Sequence, residues 1–175
     1  LANAVTNQDQ LRQKVAFALS QIFVTSLNKL IWNTEMVPYQ MMLMNDAFTS
    51  YRKILGDVTL SPSMGYYLDM ANNARANTSL GTAANENYAR EILQLFSIGT
   101  KVLNQDGTAQ VGPNGPVPTY QQTDIAELAR VFTGWTFAPN PGSPVTWGIY
   151  ITQNGPMVPF APMHDFGSKS FMGYN

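Results

Sequence analysis

Three groups of polar side chains hold the reactive chemistry available to this sequence. The first is Glu86, Asn87, Arg90 and Glu91. The second is Asp124, Glu127 and Arg130, with Trp135 just beyond. The third is His164 and Asp165, with Ser168 and Lys169 following. If a cleft brought them together, one carboxylate of raised pKa (Glu91 or Glu127) or the single imidazole (His164) would serve as general acid or base. Asn87, Arg90, Arg130, Trp135 and Lys169 would grip an anionic or polar ligand. The competing reading is structural and weighs more: arginines pairing bidentately with acids form an ion-pair lattice that ties two helices together. His164 then caps a helix or binds a carbonyl. Adjacent residues on an extended segment point to opposite faces, so His164 and Asp165 are not expected to pair with each other.

Other chemistries are poorly served. No Gly-x-Ser-x-Gly elbow supports a serine nucleophile, and no phosphate-cradling loop or dinucleotide fingerprint is present. Cysteine is absent and histidine occurs once, which leaves no thiolate site and no multi-histidine metal site; neither a metal nor another cofactor is expected. Ten basic residues face eleven acidic ones, a net charge of −1, so the chain lacks the basic footprint of a nucleic-acid binder. No apolar run reaches the roughly 20 residues of a membrane-spanning helix. Only 12% of residues are charged, and 15 Asn plus 11 Gln outnumber the 21 charges, so amides and hydroxyls must wet much of the surface.

The elements that would position these groups are mostly helical. Periodicity predicts about five helices, near residues 8–26, 38–55, 62–71, 85–98 and 119–133. Asn7 with Gln10, and Thr119 with Gln122, make capping-box patterns. The first helix should bury Leu11, Val15, Ala18, Leu19, Ile22 and Phe23. The second starts at Pro38 and should bury Met41, Met44, Phe48, Tyr51 and Leu55. Tyr88, Ile92, Leu95 and Phe96 form the buried face of the fourth. Ile125, Leu128, Ala129 and Phe132 form that of the fifth. Glu86 and Arg90 have the spacing of a helical ion pair. Gly99 and Gly134 are helix stops, and Trp135 should fold back on the last turn. Asp106-Gly107 can close a small hairpin between Val102-Leu103 and Val111. The reading is therefore a mostly α domain over residues 1–136. An irregular Pro/Gly-rich arm follows over 137–175. It has room for a short β hairpin at Val145–Ile151 and is pinned by Phe160, Phe166 and Phe171.

Three blocks of this sequence, and a weaker fourth, resemble a large bacterial family. Asn85-Glu86-Asn87-Tyr88-Ala89-Arg90-Glu91-Ile92-Leu93-Gln94-Leu95-Phe96-Ser97-Ile98-Gly99 is similar to the family's signature. Thr119-Tyr120, Asp124-Ile125, Glu127-Leu128-Ala129-Arg130 and Thr133-Gly134-Trp135 resemble its second block. His164-Asp165-Phe166-Gly167-Ser168-Lys169 resembles its third, and Ser61-Pro62 through Leu68-Asp69 a weaker fourth. The family is the domain of unknown function 1800. The resemblance implies a longer protein, often exported and often encoded beside another exported protein; the start at Leu1 and the missing cysteines fit that expectation. Many relatives carry histidines in an aromatic-rich run of the first helix. Here Val15–Phe23 holds none, so no metal role is carried over.

The expectation drawn from all this is an interaction and scaffold domain of a larger assembly. It would be exported to the periplasm, the cell surface or the medium, and would meet other protein chains, either further parts of its own chain or a co-encoded exported protein. The alternative is a hydrolase-like or anion-binding enzyme using the Glu/Arg/His cleft.

Overall fold

A computed structural model describes residues 8–30, 33–149 and 154–174. Six α-helices lie among them: α1 (Gln10–Ile22), α2 (Asn33–Asp46), α3 (Tyr51–Leu60), α4 (Pro62–Tyr67), α5 (Asn87–Gln94) and α6 (Gln122–Val131). Two 3-10 helices (Thr78–Leu80 and Ala161–Met163) and two short antiparallel ladders accompany them among the described residues. β1 (Val111–Gly112) pairs with β2 (Gly115–Pro116), and β3 (Trp135–Thr136) pairs with β4 (Val158–Pro159). The mostly α class expected from periodicity is the class observed. No helix among the described residues is long and apolar enough to cross a membrane.

The single helix expected over 38–55 is two. The Ser50 hydroxyl accepts the Lys53 N–H at 3.3 Å and starts α3 afresh, while α2 begins five residues earlier, at Asn33. Pro38 therefore sits inside α2, where it has no N–H to offer the preceding turn. The last helix is capped two residues later than expected: the backbone N–H of Gln121 donates to Asp124 Oδ2 at 2.7 Å, so Gln121 and Asp124 do the work assigned to Thr119 and Gln122.

The core has two centres. Phe23, Tyr39, Leu43, Val58, Met64, Met70, Tyr88 and Phe96 form the larger one. Ala89, Leu93, Ile125 and Ala129 form the seam between α5 and α6. Tyr39 Oη donates to the Phe23 carbonyl at 2.7 Å, which satisfies the one polar atom of a side chain that is otherwise sealed. Several residues expected in the core lie outside it. Leu11 and Ile22 on α1 are exposed, because its buried line runs through Ala16 and on to Phe23; Met41 on α2, Phe48, Tyr51 and Leu95 are exposed as well. Helical spacing marks an apolar face but does not name the neighbour that covers it.

The segment after α6 is fastened by contacts of long sequence separation. Met157 is buried beneath α4, where a Cβ on Gly65 would collide with its sulfur and methyl. Asn72, held at φ +60°, donates its N–H to the Trp135 carbonyl, and its Oδ1 accepts the Thr136 hydroxyl at 2.7 Å. Phe160 stacks on Trp147, and Phe171 packs against the α5–α6 seam. Phe166, expected as a third pin, is 73% exposed. The hairpin expected at Val145–Ile151 is not formed over 145–149, the rest lying outside the described residues; the pairing is instead β3 with β4. At Asp106-Gly107 the turn forms, with Leu103 bridging Ala109, while Val111 goes on to pair in β1.

Candidate functional site

Glu86 and Arg90, at the start of α5, meet Gln122 of α6 at one point. Arg90 Nη2 donates to Glu86 Oε2 at 2.8 Å, within α5's first turns. Gln122 of α6 donates to the same Glu86 oxygen at 2.8 Å, and its own amide oxygen accepts Arg90 at 3.4 Å. An acid, a guanidinium and an amide thus close a triangle across the two helices. Asn87 is turned elsewhere: its side chain donates to Asp69 Oδ2 at 2.9 Å, and Asp69 also takes Lys29 at 2.5 Å. Glu91 joins neither group. Its Oε2 is buried with no hydrogen-bond partner among the described residues.

Arg130 does not reach α5. It donates through Nη1 to both oxygens of Glu127 (2.8 and 2.7 Å), and through Nε and Nη2 to both oxygens of Asp165 (2.7 and 3.1 Å). One guanidinium therefore clamps a carboxylate of its own helix and a carboxylate 35 residues away. Around this clamp the C-terminal segment is tied to α6 by its backbone: Ser170 N–H donates to Glu127 Oε2 at 3.2 Å and Met172 N–H to Asp124 Oδ1 at 2.8 Å. Lys169 folds over the turn, its Nζ bonding the carbonyls of Asp165 (2.5 Å) and Gly167 (3.0 Å).

The electrostatics follow from this geometry. Arg130 holds the Asp165 carboxyl at about 2 instead of 3.8, helped by the Gly167 N–H. It also holds Glu127 below the usual carboxylate range, and the two acids in turn keep Arg130 firmly protonated. A depressed carboxylate contributes stability that is present above its unfolded pKa and is lost as pH falls through the folded one. The Asp165 contribution, at most about 2 kcal/mol, should therefore be intact above pH 5 and fade between about pH 4 and pH 2. Denaturant unfolding at pH 6 and pH 2 should show a larger acid loss in the native chain than in Asp165→Asn; equal losses would contradict the clamp.

His164 lies on the other face of the same segment. Its Nδ1–H donates to the Thr133 carbonyl at 2.7 Å, leaving Nε2 without a partner among the described residues, and Asp165 N–H donates to the Thr133 hydroxyl at 2.9 Å. The neighbouring side chains do point apart, one to α6's end and one to Arg130. Gly134 makes this docking possible: at φ +80° it packs so closely that a Cβ would lie 2.8 Å from the His164 backbone. Trp135, His164, Phe166 and Pro159 line a cavity of about 330 Å³ at this place, while Trp135 also packs on the main core. Of the residues proposed from sequence, the fold gathers Glu127, Arg130, Trp135, His164 and Lys169 around the segment after α6. Asn87, Arg90 and Glu91 stay on α5. His164 makes no hydrogen bond to Glu91 or to the Arg130 side chain.

Sequence reasoning missed Thr133, whose hydroxyl and carbonyl seat His164 and Asp165, and the role of Asp165 as the second jaw on Arg130. It also missed Arg75, Asn77, Thr82 and Trp147, which line a larger cleft beside Asp165 and Phe166. Gly134 as a helix stop, with Thr133 before it and Trp135 after it, is the local signal for this place.

Comparison with known proteins gives one match. A family model described as "Protein of unknown function (DUF1800)" matches residues 1–175. No curated protein and no solved structure matches the chain.

Proposed function

The chain belongs to the DUF1800 family, and from that premise we propose that it is an interaction and scaffold domain, exported to the periplasm, the cell surface or the medium, that docks another protein chain on the outer face of α1. The observation that carries this reading is a helical stripe left uncovered. Leu11 and Ile22 are 67% and 42% exposed, and Ala18 lies between them on the same face. Phe17 on α1 and Val37 and Met41 on α2 are exposed as well, as are Leu27 and Phe48 in the turns after those helices, Phe48 with the Arg12 guanidinium over its ring. An exposed apolar stripe along one helix face supports an interaction site.

The distribution of charge supports a protein partner. Six of the chain's cations are engaged with acids or carbonyls: Arg12, Lys29, Lys53, Arg90, Arg130 and Lys169. The side chains of Lys14, Arg52, Arg75 and Lys101 have no partner among the described residues. Lys14 falls on the α1 stripe, three residues after Leu11, and Arg52 follows the exposed Tyr51. The partner we infer offers apolar side chains with a carboxylate beside them. The arginines first considered as anion grips are occupied internally, which weighs toward scaffold over cleft chemistry.

A photo-reactive residue placed at Leu11 or Ile22, in cells that make the protein, tests this. It should give one discrete crosslinked species with another protein. A probe at Val111, equally exposed on β1, should not, and Lys14→Glu should abolish the product. Equal labelling from both positions, or a crosslink only to a second copy, would contradict the reading.

One observation favours the enzyme reading: His164 has Nδ1 fixed by a carbonyl and Nε2 unpartnered among the described residues, in a largely apolar cavity, the arrangement of an oriented base. It would be a hydrolase-like or anion-binding enzyme in which His164 acts without Glu91. Loss of a hydrolytic activity in His164→Gln at unchanged stability would establish it.

A further inference from the structure

A cleft of about 840 Å³ opens between the loop over residues 74–82 and the segment over 162–167, within the roughly 300–1,000 Å³ typical of ligand pockets. It is separate from the α1 face and is not used by the docking proposed above. Its free side-chain polar capacity is nearly all of one kind. Arg75 is exposed and its guanidinium has no partner among the described residues. Asn77 Oδ1 accepts the N–H groups of Ser79 and Leu80 at 3.0 and 3.2 Å, which fixes the carboxamide and leaves its NH₂ unpaired. The Thr82 hydroxyl is likewise unpaired, on a residue bridged to Asn77 through the backbone. The one carboxylate in the lining, Asp165, is already spent on Arg130 and the Gly167 N–H.

Two aromatic rings, Trp147 and Phe166, share the lining with these donors. Trp147 is steadied by Phe160, ring centroids 5.7 Å apart. Phe166 is steadied edge-on by His164 at 4.8 Å and is still 73% exposed. A held but uncovered ring is a stacking platform. A surplus of donors, one of them a cationic fork suited to a carboxylate, calls for an anionic ligand rich in acceptor oxygens. Flat apolar walls call for a ligand that also has a C–H face.

The geometry points to a binding site for an acidic oligosaccharide, a uronate sugar seating its carboxylate on Arg75 and its pyranose faces against Trp147 and Phe166. Arg75 is exposed and unpaired, so its replacement leaves the fold intact, which circular dichroism would verify. Titration of the full chain with trigalacturonate, read by tryptophan fluorescence and by calorimetry, should show saturable binding. Arg75→Gln should weaken it about tenfold or more, Arg75→Lys should keep only part of it, and Trp147→Ala should abolish it. Neutral maltotriose should bind at least about tenfold more weakly. Absence of trigalacturonate binding at millimolar concentration, unchanged affinity in Arg75→Gln, or equal affinity for maltotriose would overturn the site. Benzoate binding as tightly as the uronate would overturn the sugar class. Substitutions on α1 should leave these affinities unchanged, so this result stands or falls apart from the docking proposal.

Discussion

Replacing Arg130 with Met should lower stability by about 3 kcal/mol and release the segment over 160–172 from α6. Among the described residues, Arg130 is the only cation hydrogen-bonded to the Glu127 and Asp165 side chains, and both acids bond it through both oxygens. All three side chains are largely shielded, with exposures of 27%, 25% and 19%. Without the guanidinium, two carboxylates face each other in partly desolvated surroundings, which raises both pKa values. The variant should therefore lose the acid-dependent stability that Asp165 gives the native chain. Hydrogen exchange should show the amides of Asp165, Gly167, Ser170 and Met172 opening first, since each bonds the clamp or its immediate support. A variant as stable as the native chain would mean that the pairs are no more than surface decoration.

Gly134→Ala should be nearly as damaging, at about 3 kcal/mol. The left-handed φ of +80° alone makes a Cβ cost about 1–2 kcal/mol. The new methyl would also lie 2.8 Å from three atoms of His164, two of them backbone, so relaxation must move the chain and not only a side chain. That displacement breaks the His164–Thr133 and Asp165–Thr133 bonds together. Gly99→Ala is the control: its φ is +72° but nothing lies within 4 Å of the added Cβ, so it should cost only the strain of about 1 kcal/mol. Thermal unfolding of the two variants compares close approach with strain alone; equal losses would show that the His164 contact is soft.

What could be read in advance follows the reach of each interaction along the chain. Glu86 and Arg90 are four residues apart on one helix, so their pairing was visible in the spacing. The buried faces of α5 and α6 were visible too, at Tyr88, Phe96, Ile125 and Ala129, because each helix has a neighbour that covers the apolar side. The spacing on α1 and α2 misleads for the converse reason: Leu11, Ile22 and Met41 have the right spacing but stay exposed, and Phe48, also exposed, has the Arg12 guanidinium over its ring. The expected lattice between α5 and α6 was half right. Gln122, an amide and not a charge, closes the link from α6, while Arg130 turns to a carboxylate 35 residues on. Nothing in local sequence selects Asp165 over Asp124 or Glu86 as its partner. Met157 beneath Gly65 and Arg75 in its cleft belong to no motif at all; only the folded chain brings their surroundings together.

The central claim is that Arg130 and Asp165 act as one structural unit that fastens the C-terminal segment to α6. A double-mutant cycle tests it most directly: denaturant stabilities at pH 7 of the native chain, Arg130→Met, Asp165→Asn and the double variant. The account predicts a coupling of about 2 kcal/mol, the double variant being little worse than Arg130→Met alone. Losses that add to within about 0.5 kcal/mol would contradict it.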